Sequence, residues 1–185
     1  YKLDCKENFK DSLLFWIARF VKYKLTTLSN KELREPAVLA SINYELTKGV
    51  KNINQLDGLV KKARNAGLAG VNTYFAPLKK IYEVLGFYGL NSLAQIDEEL
   101  ISEVLASTTG ALSDASKKNF RMATINFFKY LSRQNDENGK AHVYDIELKN
   151  WGGITGNKGV KLPEFMNEDE VHKFLNAIDE MDFKK

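Results

Sequence analysis

VNTYFAPLKKIYEVL, residues 71–85, decides the fold class. Val71, Tyr74, Phe75, Leu78, Ile81, Tyr82 and Leu85 recur at three- and four-residue steps. That is the period of a helix with one buried face. Asn72 is the expected N-cap. Pro77 falls just past the first turn, so a local irregularity is expected there. Gly86 and Gly89 are placed to close the helix. With the apolar side buried, Asn72, Thr73, Ala76, Lys79, Lys80 and Glu83 are left outward.

The same period repeats on either side. Leu13, Leu14, Trp16, Ile17, Phe20 and Val21 predict a helix over 9–25. A weaker helix is expected over 31–48, with Leu33, Val38, Leu39, Ile42 and Leu46 on its apolar side and Pro36 tolerated only near its start. Leu56, Leu59, Val60 and Ala63 mark a helix over 54–66, ended by Gly67. Ile96, Leu100, Ile101, Val104 and Leu105 define a short helix whose other face carries Asp97, Glu98, Glu99 and Glu103. Ser113 is expected to cap a long helix reaching Gln134, with Phe120, Ala123, Phe127, Tyr130 and Leu131 turned inward.

After Gln134 the pattern changes. Asn135 to Gly139 reads as a turn. Tyr144, Ile146 and Leu148 alternate with polar residues, which predicts an extended segment or a lone strand. Gly152, Gly153, Gly156 and Gly159 crowd into eight residues and read as linker. Asn167 and Glu170 form a capping-box-like start for a last amphipathic helix. The expected architecture is all-α. A compact helical bundle over 1–139 precedes an interdomain linker over 140–165 and one further helix over 166–185. That helix carries an apolar stripe with no domain behind it, and the sequence starts at Tyr1 without an initiating Met. Both features lead to the expectation of a piece of a longer protein.

Composition narrows the function classes. The chain has 185 residues, 44% hydrophobic and 28% charged, as in a globular protein. Its one cysteine, Cys5, cannot close an intramolecular disulfide, which favours a reducing cytosol. No segment approaches the roughly twenty apolar residues of a membrane span. Catalytic motifs are absent. His142 and His172 stand thirty residues apart with no cysteine near them, so no metal site is expected. The glycine-rich stretch lacks the Lys-Ser/Thr of a phosphate loop. No cofactor, small-molecule ligand or catalytic residue is expected in this chain.

Charge is more informative than its net of +3. Residues 51–85 carry six basic and two acidic side chains, and residues 111–135 carry five and one. Between them, residues 86–110 hold four acids and no Lys or Arg. On the helix from Ser113, Lys117, Lys118 and Arg121 share a face, with Ser116 and Asn119 beside them near its start. Lys61, Lys62, Arg64 and Asn65 form a third basic patch just before Asn72. Helix starts with small polar residues and lysines suit DNA: amides and cations hold phosphate, while Asn and Ser reach base edges. The alternative is an all-helical protein-interaction module whose basic faces are incidental solvated surface.

These segments also carry a family resemblance. Asn72-Thr73-Tyr74 with Leu78, Ile81 and Leu85 resembles the first signature of the core-binding domain of tyrosine recombinases. Leu112-Ser113, Ser116-Lys117-Lys118-Asn119, Arg121, Phe127-Phe128 and Tyr130-Leu131 resemble the second. Lys161-Leu162-Pro163 through Glu170-Val171 and Leu175 looks like that family's junction into a catalytic domain. The run from Lys61 to Leu68, with Gly70 and Asn72-Thr73-Tyr74, is similar to the Xer type of bacteria that use a single enzyme.

The resemblance implies a SAM-like helical domain that binds duplex DNA at a dif-like recombination site, its two signature helices crossing in the major groove. It implies DNA contacts at Lys61, Lys62, Arg64, Asn65, Asn72, Thr73, Tyr74, Ala76, Lys79, Lys80, Ser113, Ser116, Lys117, Lys118, Asn119 and Arg121. In a full-length protein it implies recombinase protomers in a synaptic tetramer as partners, a DNA translocase as a further one, and a bacterial, nucleoid-associated setting in the cytoplasm. The family's catalytic residues belong to the later domain. Neither His142 nor His172 is followed three residues later by Arg, and no tyrosine here carries over as nucleophile.

Overall fold

The structure, a computed structural model, describes residues 1–28, 35–149 and 151. These belong to a compact unit, Tyr1–Ile154. The expected linker glycines and the helix from Asn167, with His172, lie outside the described residues, as does Leu33.

Among the described residues six α-helices follow in order: α1 (Phe9–Leu28), α2 (Pro36–Lys48), α3 (Ile53–Asn65), α4 (Gly70–Leu85), α5 (Glu98–Thr109) and α6 (Asp114–Gln134). A 3-10 turn, Leu93–Gln95, lies between α4 and α5. The described residues contain no strand, so the all-α expectation holds.

The core follows the periodicity. Trp16, Phe20, Phe75, Phe127 and Phe128 are essentially inaccessible. Phe20 is the meeting point: its ring packs on Tyr74, Phe127 and Tyr130 with centroids 6.1, 5.5 and 5.4 Å away. The buried indole of Trp16 donates to the Leu3 carbonyl at 2.8 Å, satisfying a polar group that the core would otherwise strand.

Helix ends show what local chemistry did and did not decide. Ser113 caps α6, its hydroxyl accepting from the Ser116 N–H at 3.3 Å. Pro36 is the first residue of α2, the position that needs no N–H. Gly67, at φ +109°, closes α3: its N–H reaches the Arg64 carbonyl and that of Leu68 reaches Ala63, at 3.1 and 3.0 Å. Two expectations need correction. Asn72 is not an N-cap but lies in the first turn of α4, which starts at Gly70. The turn at Gly67 and the buried anchor Leu68 restart the helix early. The N–H groups of Val71 and Asn72 are met by the Leu68 and Ala69 carbonyls at 3.3 Å, so no side-chain cap is needed. Asp97 is not on the outer face of α5 but is its N-cap, accepting from the Leu100 N–H at 2.8 Å. α4 runs unbroken through the buried Pro77, although Pro77 has no N–H for the Thr73 carbonyl.

Asn135–Gly139 is a turn, as expected: Glu137 and Lys140 bridge across Asn138 and Gly139, both at positive φ. Beyond it the chain is extended, with Tyr144, Ile146 and Leu148 buried and their neighbours exposed. The described part of the expected linker therefore lies packed on the helices as a strap.

Candidate nucleic-acid interface

α3 and α4 bring one basic patch together. Asp57 accepts from Lys61 at 2.8 Å along α3 and from Lys79 of α4 at 3.5 Å. Its carboxyl is held below its ordinary value, first by the Lys61 hydrogen bond and then by the charge of Lys79. Lys79, expected outward, is half-buried by this pairing, whereas the Lys61 side chain stays 66% exposed. Lys62, Arg64 and Asn65 are exposed at the end of α3. Across the Gly67 turn Thr73 and Ala76 are exposed, and Asn72 is half-buried. Lys80 is exposed and pairs with Glu83 at 3.5 Å.

Tyr74 does a different task. Its ring is half-buried, edge-on to Phe20, and the Lys24 ammonium lies 4.2 Å from its centroid. Burial lowers the pKa of Lys24. Sequence reading missed Lys24 because it sits on a helix read only for its core. The available signal was its position one turn after Phe20.

The α6 cluster is separate. Lys118 and Asn119 are exposed, while Ser116 and Lys117 are half-buried. The hydroxyls of Ser113 and Ser116 bond each other at 3.1 Å, so they serve the helix start before any ligand. Phe127 of the same helix shares Phe20 with Tyr74.

Arg121 departs most from the sequence reading. Its Nε donates to the Leu148 carbonyl at 2.7 Å and its Nη2 to the Glu147 carbonyl at 3.1 Å. Its guanidinium is thus committed to the strap.

A third basic surface was not found from sequence. A groove of about 720 Å³ between α1 and the end of α2 is lined by Lys6, Arg19, Lys22, Lys48 and Lys51, with Tyr23 at its side. Elsewhere the titratable groups look structural. Burial pushes the Cys5 thiol up, away from reactivity. Burial also raises the Tyr144 phenol, which donates to the Leu93 carbonyl at 2.7 Å. His142 packs its ring on Tyr144. Among the described residues no cluster of His, Cys, Asp or Glu could hold a metal, and no helix is long and apolar enough to cross a membrane.

Six helices, with basic residues on α3, α4 and the start of α6, define the class, and comparison with known proteins agrees. Residues 4–135 match the phage integrase SAM-like domain, and the chain belongs to that family. Its relatives are more particular. It is 68% identical over 184 residues to the tyrosine recombinase XerH of Campylobacter jejuni, a match covering 100% of this chain and 52% of that protein. It is 42% identical over 187 residues to the XerH of Helicobacter pylori, covering 95% and 51%. The chain thus spans about half the length of these relatives. Two crystal structures of a XerH site-specific recombinase bound to difH substrate share its fold. The post-cleavage complex on palindromic difH gives a TM-score of 0.82 at 41% identity, and the pre-cleavage complex 0.79 at 40%. Each comparison covers 97% of this chain and 51% of the other. The resemblance to Xer-type tyrosine recombinases is borne out.

Proposed function

We propose that this chain is the DNA-reading half of a Xer-type recombinase and binds duplex DNA at a dif-like site. The observation that carries the reading is the α3–α4 patch, where Asp57 gathers Lys61 and Lys79, Lys80 pairs with Glu83, and Lys62 and Arg64 stand exposed at the end of α3. A 41% identical structure bound to difH substrate supports it. In this reading the lysines of α3, α4 and α6 hold phosphates, and Thr73, Ser116 and Asn119 approach base edges. Asn72, Asn65, Ala76 and Ser113 line the approach, and Tyr74 supports it from the core side. The whole protein would act as a site-specific recombinase on chromosome dimers. Its protomers would pair in a synaptic tetramer in the bacterial nucleoid under a DNA translocase.

The test is a fluorescence-anisotropy titration on a dif-like duplex and a scrambled one across a salt series. Affinity should fall linearly on a log–log salt plot, because each phosphate contact releases condensed counterions. Asn119→Ala should cost about 1–3 kcal/mol on the dif-like duplex and little on the scrambled one. Binding that ignores salt and duplex would favour the protein-interaction alternative.

A further inference from the structure

We propose that Arg121 is a positioning residue, a latch that locks the strap, residues 142–149 with Trp151, onto α5 and α6, and not a phosphate contact. Its fork donates to two successive carbonyls, those of Glu147 and Leu148. A guanidinium so engaged makes charge-assisted bonds, stronger than neutral ones, and has less left to offer a ligand.

Leu148 supplies a second, independent observation. It holds φ +50°, a left-handed conformation uncommon for any residue but glycine, while its side chain is 1% exposed. Such a backbone persists where its surroundings over-determine it. Here Arg121 grips the Leu148 carbonyl from one side and the core holds its side chain from the other.

The rest of the strap is built to the same end. The Asn135 side chain pairs with both backbone groups of His142, accepting at 2.7 Å and donating at 3.0 Å. The Tyr144 N–H donates to the Ser132 hydroxyl at 2.9 Å. Glu98 of α5 accepts from the Glu147 N–H at 2.8 Å, and the Trp151 indole donates to the Ser102 carbonyl at 3.3 Å. Arg121 is the point where this strap meets the first half of α6, one turn after Lys117 and Lys118. The latch therefore fixes the strap relative to that face. This consequence for DNA rests on the functional reading above; the latch itself does not.

The test uses Trp151 as a reporter. The chain has two tryptophans, and Trp16 is fully buried, so acrylamide quenching reports chiefly on the strap. Arg121→Ala should raise quenching and speed amide exchange over 144–149 by about tenfold or more, the loss expected for bonds to a charged donor. Arg121→Lys should fail to rescue, because a compact ammonium lacks the rigid planar fork that meets two successive carbonyls. The salt slope of DNA binding should stay at the parent value for both variants. The latch is overturned if quenching and exchange match the parent in Arg121→Ala while the salt slope falls by about one, as loss of a phosphate contact requires. Full rescue by Arg121→Lys would also overturn it. Should Arg121→Ala fail to fold, Arg121→Lys decides alone: faster exchange over 144–149 supports the latch, and exchange at the parent rate overturns it. A chain that bound no duplex at all would sink the functional reading and leave the latch to be judged on quenching and exchange alone.

Discussion

The start of α4 and the start of α6 look alike in sequence and differ in the folded chain. Each has a small polar residue, a following lysine pair and an apolar face. At α6 Ser113 caps the helix, and Lys117 and Lys118 follow with a guanidinium tied to the strap. At α4 no side chain caps the helix, and Lys79 joins Lys61 at Asp57 on the neighbouring helix. One cationic cluster is shaped by a contact between adjacent helices, the other by backbone 26 and 27 residues away. Residue type and spacing are therefore a poor guide to which cations are available to a ligand.

Removing the shared support should have the largest effect. Phe20 joins Tyr74 of α4 to Phe127 and Tyr130 of α6. Phe20→Ala should cost about 3–5 kcal/mol in a urea unfolding titration. A loss below 1 kcal/mol would mean that the two regions do not depend on this ring.

Next comes the α6 cluster. Lys117→Ala with Lys118→Ala should lower the salt slope of duplex binding by about two and weaken dif-like and scrambled DNA alike. An unchanged slope would place the phosphate contacts elsewhere, with the α1 groove the next surface to test.

The caps give a smaller and more pointed contrast. Ser113→Ala should cost about 1 kcal/mol of stability, the usual loss for a working N-cap. Asn72→Ala should stay within about 0.5 kcal/mol, because Asn72 caps nothing. Equal losses in thermal melts would erase the difference between the two helix starts.

The smallest effect concerns Asp57. Asp57→Asn should strengthen duplex binding a few-fold, by removing the negative charge between Lys61 and Lys79. It should also flatten the acid limb of stability. The Asp57 carboxyl is held below its ordinary value in the folded chain, so its contribution is present above the unfolded pKa of about 3.9. That contribution is lost as pH falls through the lower folded value. The Asp57 side chain is 20% exposed and Lys61 is mostly in solvent, so the stability change should be small. A variant that bound duplex more weakly would show that Asp57 orients the lysines more than it neutralises them.

Much of this was legible before any coordinates. The steps from Val71 to Leu85 called for a helix because a buried face must recur with the helical period. The same reasoning found α1, α3, α5 and α6, the Ser113 cap, the Gly67 stop and the alternating burial of Tyr144, Ile146 and Leu148. The candidate interface was legible as three basic clusters, but not as a surface. Lys79 read as outward because nothing near it in the chain says that Asp57, on another helix, faces it. Lys24 read as background because its partner Tyr74 lies fifty residues on.

By itself the sequence determined the helices, where most of them stop, the opposed blocks of charge and the family. All of these depend on neighbours within a turn or two of the chain. The tertiary structure alone decided where α4 begins, which lysines Asp57 gathers and what Arg121 holds. Those outcomes depend on donors and acceptors that meet only after the core around Phe20 has closed, and a hydrogen bond across 27 residues leaves no periodic mark on the sequence that makes it.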